Sequence, residues 1–267
     1  MNGRGALVLK VVYPLLALLL VIVVWHLAVS YYQIPRYVLP APHDVALHIA
    51  NDWPALMKGF GVTFIEFLLG FILGAGAGFV FAVLMDAAQP VRGILYPILI
   101  VSQAIPIVAI AAALTIWLGF GLAPKLVIVA LVVFFPVVVN VLDGLASVDA
   151  DLLKLVRAMG ASKLQVFRHV KLPATYSPLF SALKLSATFS VTGAVIAEWT
   201  ASTSGGIGAY LLQANSRLNT SGTFAAIAFL AALGVVAFLL VVLTERLLTP
   251  WRTSSTARRW TRAYWRD

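Results

Sequence analysis

The side chains able to do chemistry in this chain are few, and they lie within or at the ends of long apolar runs: Glu66, Ser102, Gln103, Thr188, Thr192 and Glu198, with Tyr96 and Trp117 nearby. A polar group at membrane depth must find a partner in protein, water or cargo, so each is a candidate for lining a solute path. Glu66 stands ~9 Å along its helix from Phe60, at ~1.5 Å per residue. It either faces such a path or bonds loop backbone at the interface. Ser102 and Gln103 precede Pro106, which lacks a backbone donor and kinks its helix. Thr188 and Thr192, four apart, share one helix face; they line a path or bond back to their own carbonyls. Tyr96 and Trp117 can stack on a flat ring. Glu198, beside Trp199, reads as an interfacial structural group, and Asn140 and Asp143 as caps or tethers of the segment that follows them.

The positions of the basic residues narrow the cargo. No Lys or Arg falls in the central part of any apolar run, Lys184 near one end being the nearest. A desolvated organic anion wants a cation or several aligned donors. The neutral set favours an uncharged or weakly charged heterocycle, although helix N-termini can hold anions without a basic side chain.

Several chemistries are excluded. There is no cysteine, hence no thiol chemistry or disulfide. His26, His43, His48 and His169 are scattered; His43 and His48 share a loop without further ligands, so no metal site is expected. No lysine follows a glycine, so the G-x4-G-K-[ST] phosphate loop is absent, and H-E-x-x-H and G-x-S-x-G are absent too. The chain is not expected to be an enzyme, to hold a cofactor, or to hydrolyse ATP.

The elements that position these residues follow from composition. With 61% hydrophobic and 11% charged residues and a mean hydropathy of +0.97, the chain reads as an all-α polytopic membrane protein. Six spans are predicted, over 11–29, 61–85, 94–117, 126–142, 179–199 and 224–243, within a membrane domain of 11–249 between tails of 1–10 and 250–267. The first run lacks a clean cleavage site and reads as a retained span. Residues 30–59 read as a loop with a short surface helix over 43–58, and 200–222 as a Gly/Ser/Thr/Asn-rich loop. Gly70, Gly74 and Gly78 form a small-xxx-small stripe for close helix packing. The basic aromatic tail suits lipid headgroups rather than nucleic acid. Only Arg36, Lys58, Lys125 and Arg217 of the 19 Lys+Arg fall on one side when the spans are threaded. The positive-inside rule therefore places both termini in the cytoplasm.

The longest polar interruption is the elbow over 147–173. Ser147, Asp149 or Asp151 can cap a first short helix whose apolar face is Leu152, Leu155, Val156 and Met159. Gly160 stops it in the left-handed region. Ser162 and Gln165 form a capping box for a second helix, with Leu164, Phe167 and Val170 on its apolar side and Pro173 at its end. Such an elbow either docks into a groove on a soluble partner or lies on headgroups.

The spacing Gly160, nine residues, Val170-Lys171-Leu172-Pro173 resembles the "EAA" loop, G-x9-I-x-L-P, of bacterial ABC-importer permeases. Met85 to Gly121 is similar to permeases assigned to thiamine-precursor pyrimidine uptake, in the branch that includes sulfonate, taurine and nitrate systems; riboflavin importers look related. The resemblance implies a type I importer-like fold. It also implies a bacterial inner-membrane complex of two permease copies, two cytoplasmic ATPases carrying ATP and Mg, and an external solute-binding protein. Alternating access would move the solute. The elbow would then be the coupling helix on the ATPase, with Leu155, Arg157, Ala158, Gly160, Ala161, Ser162, Phe167, Leu172 and Pro173 as coupling residues. Lys154-Leu155-Val156 stands where the family often has Glu-Ala-Ala, so the glutamate's role does not carry over. The rival class is a secondary transporter working alone, which would want paired intramembrane charges; Glu66 reads as nearly isolated.

Overall fold

The computed structural model describes residues 3–201 and 205–250, and among them every regular element is helical. Helix α1 (Gly3–Tyr31) starts within the stretch read as a tail and packs on little besides α2 (Pro42–Asn51). Helix α3 (Trp53–Ala87) begins one residue after α2 closes, so the short surface helix is α2 and 53–58 already belong to a span. Pro54 causes no break there because it sits in the first turn, where no donor is missed.

The predicted third span is instead two helices, α4 (Gln89–Ser102) and α5 (Ile107–Leu118), bent by 102°. Residues 103–105 make three successive tight turns, from the N–H groups of Gln103, Ala104 and Ile105 to carbonyls three residues back. Pro106 then opens α5. A proline without an N–H after a three-residue turn cannot continue the first axis, so a predicted kink becomes a full change of direction. Helix α6 (Leu122–Ala146) follows.

The elbow comprises α7 (Ala150–Ala158) and α8 (Lys163–Val166). A π turn over Phe167–Lys171 joins α8 to α9 (Leu172–Ala201), so that 163–201 is one rod. The expected stop at Pro173 does not occur, because the wide π turn just before it accommodates a residue without an N–H. The expected loop over 200–222 contains α10 (Ile207–Ser216), and α11 (Thr220–Leu248) is the last helix among the described residues. The basic aromatic tail over 251–267 lies outside the described residues. Among the described residues, five helices are long and apolar enough to cross a membrane, with the α4–α5 pair a sixth if counted as one span.

The core is α3 on α6 on α9. Gly70, Gly74 and Gly78 all face α6. A Cβ on Gly70 would lie 2.5 Å from the Val129 Cβ, and one on Gly74 would lie 2.3 Å from the Ala130 carbonyl oxygen. The stripe continues as Ala82 and Met85, which enter the main cluster with Val133, Val137, Val141 and Leu145. Small residues bring the backbones together where lipid offers no hydrophobic drive for helix association.

Candidate functional site

The elbow is built by local sequence. The Asp149 carboxylate accepts from the Asp151 N–H at 2.7 Å and starts α7. Gly160 takes φ +86°, and the Ala161 and Gly160 N–H groups donate to the Val156 and Arg157 carbonyls. That pair of bonds is the Schellman arrangement, closing the last carbonyls of α7. Ser162 N–H donates to Gln165 Oε1 at 2.8 Å, and Gln165 N–H returns to Ser162 Oγ at 3.3 Å. Of the second helix's apolar side, Phe167 reaches the core beside buried Val166, while Leu164 stays out. Leu152, Leu155, Met159 and Leu164 are all exposed, Met159 at 79%. Ala158, Arg157, Ser162 and Pro173 are exposed as well, while Ala161 and Leu172 are half-buried. The elbow therefore presents an apolar surface with no cover from its own bundle.

The α4–α5 break opens a second feature, a cavity of about 430 Å³ between α4, α5, α6 and α9. Ser102 and Gln103 line it from the break and Thr192 from α9; the rest is aliphatic or aromatic, including Leu99, Phe134 and Phe189, with no charged side chain. The Ser102 hydroxyl donates to the Leu99 carbonyl at 2.7 Å, leaving its oxygen as an acceptor. Gln103 is exposed.

The other candidates do not join this cavity. Thr188 donates to the Leu185 carbonyl of its own helix at 2.8 Å. Tyr96 packs toward the core near Arg92, whose guanidinium carbon is 6.0 Å from the ring centre. Trp117 is 77% exposed near the end of α5. Asn140 donates to the Pro136 carbonyl within α6 and does not tether the elbow.

Glu66 corrects the sequence reading most. It is neither isolated nor beside the cavity: Lys125 Nζ donates to its Oε1 at 2.6 Å, with both side chains buried. Lys125, expected on the outer surface, sits in the first turns of α6 and is 1% exposed. Glu198 belongs to the same end of the bundle. Its Oε1 accepts from Thr63 Oγ1 at 2.6 Å and its Oε2 from the Ala209 N–H at 2.9 Å, while the Ile207 N–H donates to Thr63 Oγ1. A carboxylate at the N-terminus of α10 meets both free donors and the positive end of the helix dipole. Gly206 permits the approach, because a Cβ there would lie 2.2 Å from the Glu198 carboxylate. Further out, the Tyr210 hydroxyl donates to Asp52 at 2.5 Å and meets His48 Nε2 at 2.8 Å. Burial, and then the Asp52 carboxylate, hold the Tyr210 hydroxyl above the usual phenol range. Lys184, near one end of its apolar run, pairs with Glu245 of α11.

Residues 70–250 match the family described as binding-protein-dependent transport system inner membrane component. The chain belongs to this family. It is 32% identical over 227 residues to a probable ABC transporter permease of Haemophilus influenzae, covering 85% of this chain and 92% of that one. It is 29% identical to the formylaminopyrimidine transport permease ThiX of Halalkalibacterium halodurans, covering 90% and 95%. With the riboflavin transport system permease RibX of Chloroflexus aurantiacus it shares 31% identity, covering 89% of each. In fold, it is similar to an inward-facing MetNI methionine ABC transporter chain, with a TM-score of 0.58 at 20% identity over 73% of this chain and 94% of that one. The permease is thus a multi-pass membrane subunit of an ABC importer, working with an ATPase and a binding protein; ATP hydrolysis lies on separate subunits.

Proposed function

We propose that this permease, as a pair of identical copies, imports a neutral or weakly charged nitrogen heterocycle of the pyrimidine type, a thiamine precursor being the leading case. The carrying observation is the cavity at the α4–α5 break, where Ser102, Gln103 and Thr192 offer hydrogen bonds amid apolar walls and no side chain carries a charge. A flat polar ring can be desolvated there against a few placed groups. A sulfonate or nitrate would lose its hydration without a cation in return. The likeness to the formylaminopyrimidine permease supports this reading.

The elbow docks on the ATPase through Leu155, Arg157, Ala158, Gly160, Ala161, Ser162, Phe167, Leu172 and Pro173, with the exposed Leu152, Met159 and Leu164 beside them. ATP-driven closure of the ATPases shifts the elbows and alternates access to the cavity. Both termini and the elbow lie in the cytoplasm, and the Glu198–α10 end faces outward.

The test is uptake by the full complex in proteoliposomes with internal ATP. Hydroxymethyl- or aminomethyl-pyrimidines should compete, and taurine, alkanesulfonates and nitrate should not. Competition in the reverse order would move the assignment to the sulfonate branch.

A further inference from the structure

The elbow is joined to the bundle at one place that the coupling residues above do not include. Lys171, the last residue of the π turn, reaches across to α3. Its Nζ lies 2.8 Å from both carboxylate oxygens of Asp86, and the two side chains are only 19% and 16% exposed. Asp86 occupies the last turn of α3, where a carboxylate faces the negative end of its own helix dipole. The lysine offsets that placement, so the pair holds two elements that neither sequence neighbourhood would bring together.

The backbone around Lys171 makes the contact mechanical. The Leu172 N–H donates to the Phe167 carbonyl, five residues back. A wide turn at this point suits Pro173, which has no N–H to give and whose ring would crowd the carbonyl four residues before it. Because α8, the π turn and α9 form one rod over 163–201, displacement at the elbow passes directly into α9. On its α6 side the rod is held by a close approach, since a Cβ on Gly144 would lie 2.9 Å from the Thr175 Cα. On its α3 side it is held by Asp86. Beyond the π turn, α7 packs chiefly on α8.

We propose that Lys171 and Asp86 are a positioning pair, the fulcrum through which elbow movement turns α3 and α9 together. The inference rests on the elbow being the ATPase contact. It places transmission in a residue pair outside the coupling residues named above.

The test uses the reconstituted complex of permease, ATPase and binding protein, with solute uptake and ATP hydrolysis measured on the same vesicles. Asp86→Asn should leave hydrolysis within about twofold, as for a change away from the ATPase contact. It should lower solute moved per ATP by about tenfold, within the range of coupling between sites. Lys171→Met should lower the same ratio, Lys171→Arg should keep it, and the exchange Asp86→Lys with Lys171→Asp should recover part of it. An unchanged ratio in Asp86→Asn, or uptake and hydrolysis falling in proportion, would overturn the proposal. If a variant inserts poorly, the ratio per assembled complex still decides. Failure of the underlying docking reading shows separately: a cysteine placed by Lys163→Cys in an otherwise native permease would then form no cross-link to the ATPase.

Discussion

Lys125 Nζ lies 2.6 Å from Glu66 Oε1, with the two side chains 1% and 4% exposed. The pair ties the first turns of α6 to α3, about one turn along α3 from Thr63 and its Glu198 contact. The Glu66 Oε2 atom is buried without a hydrogen-bond partner, so its carboxylate depends on the lysine. Lys125→Met should therefore cost about 3–5 kcal/mol, the usual result of stranding a buried charge. Lys125→Met with Glu66→Leu should cost clearly less than the single change. Thermal unfolding of the purified permease in detergent reads both, and equal losses in the two variants would show that the pair is not coupled.

The glycine stripe predicts a contrast within one helix. A Cβ at Gly74 meets the Ala130 carbonyl and Cα, which are backbone and cannot rotate away, whereas one at Gly76 meets nothing within 4 Å. Gly74→Ala should separate α3 from α6 and destabilise the permease by about 1–3 kcal/mol, as overpacking does. Gly76→Ala should be neutral or slightly stabilising, since alanine is the better helix former. Midpoints of thermal aggregation for the two variants, side by side, make the measurement; similar midpoints would remove the stripe's packing role.

Orientation is open to chemical labelling because the chain has no cysteine. Asp151→Cys on α7 and Asn215→Cys on α10 both replace exposed residues at opposite ends of the bundle. In intact cells an impermeant maleimide should label the α10 position and spare the elbow until the membrane is opened. The opposite pattern would invert the assigned topology.

How far the sequence revealed this molecule depended on whether a signal was local. The elbow's caps, its glycine corner and the α3 glycine stripe are written in neighbouring residues, and each forms as its spacing predicts. The long helices are likewise legible from apolar runs. What escaped was set by partners distant in sequence. Lys125 read as an outer-loop charge because its partner Glu66 lies 59 residues away. Helix α10 read as loop because its N-terminus is satisfied by Glu198 and Thr63 rather than by a local cap. A signal was present in Ile207, Tyr210, Leu211 and Ala214, spaced to share one helix face and half-buried or buried. Pro173 misled for another reason: a proline without an N–H reads as the end of a short helix, but a π turn lets the rod continue. Of the residues singled out for a solute path, Ser102, Gln103 and Thr192 meet at one cavity, because a proline break and a helix face converge there.

Gly160 is the position where one side chain should disable the elbow without touching the bundle. Its φ of +86° is unfavourable for any L-residue, and no atom surrounds the place a Cβ would occupy. The cost of substitution is therefore conformational, not steric crowding by neighbours. Gly160→Val should disfavour the left-handed corner by roughly 1–2 kcal/mol and release the two bonds that close α7. Gly160→Asn, which tolerates that region, should be milder. Membrane insertion should be normal in both, because Gly160 lies between the spanning helices 122–146 and 163–201 and inside neither. Co-purification with the ATPase, and hydrolysis stimulated by the loaded binding protein, should fall in Gly160→Val and be largely kept in Gly160→Asn. Unchanged stimulated hydrolysis in Gly160→Val would show that the corner's geometry is not what the ATPase reads.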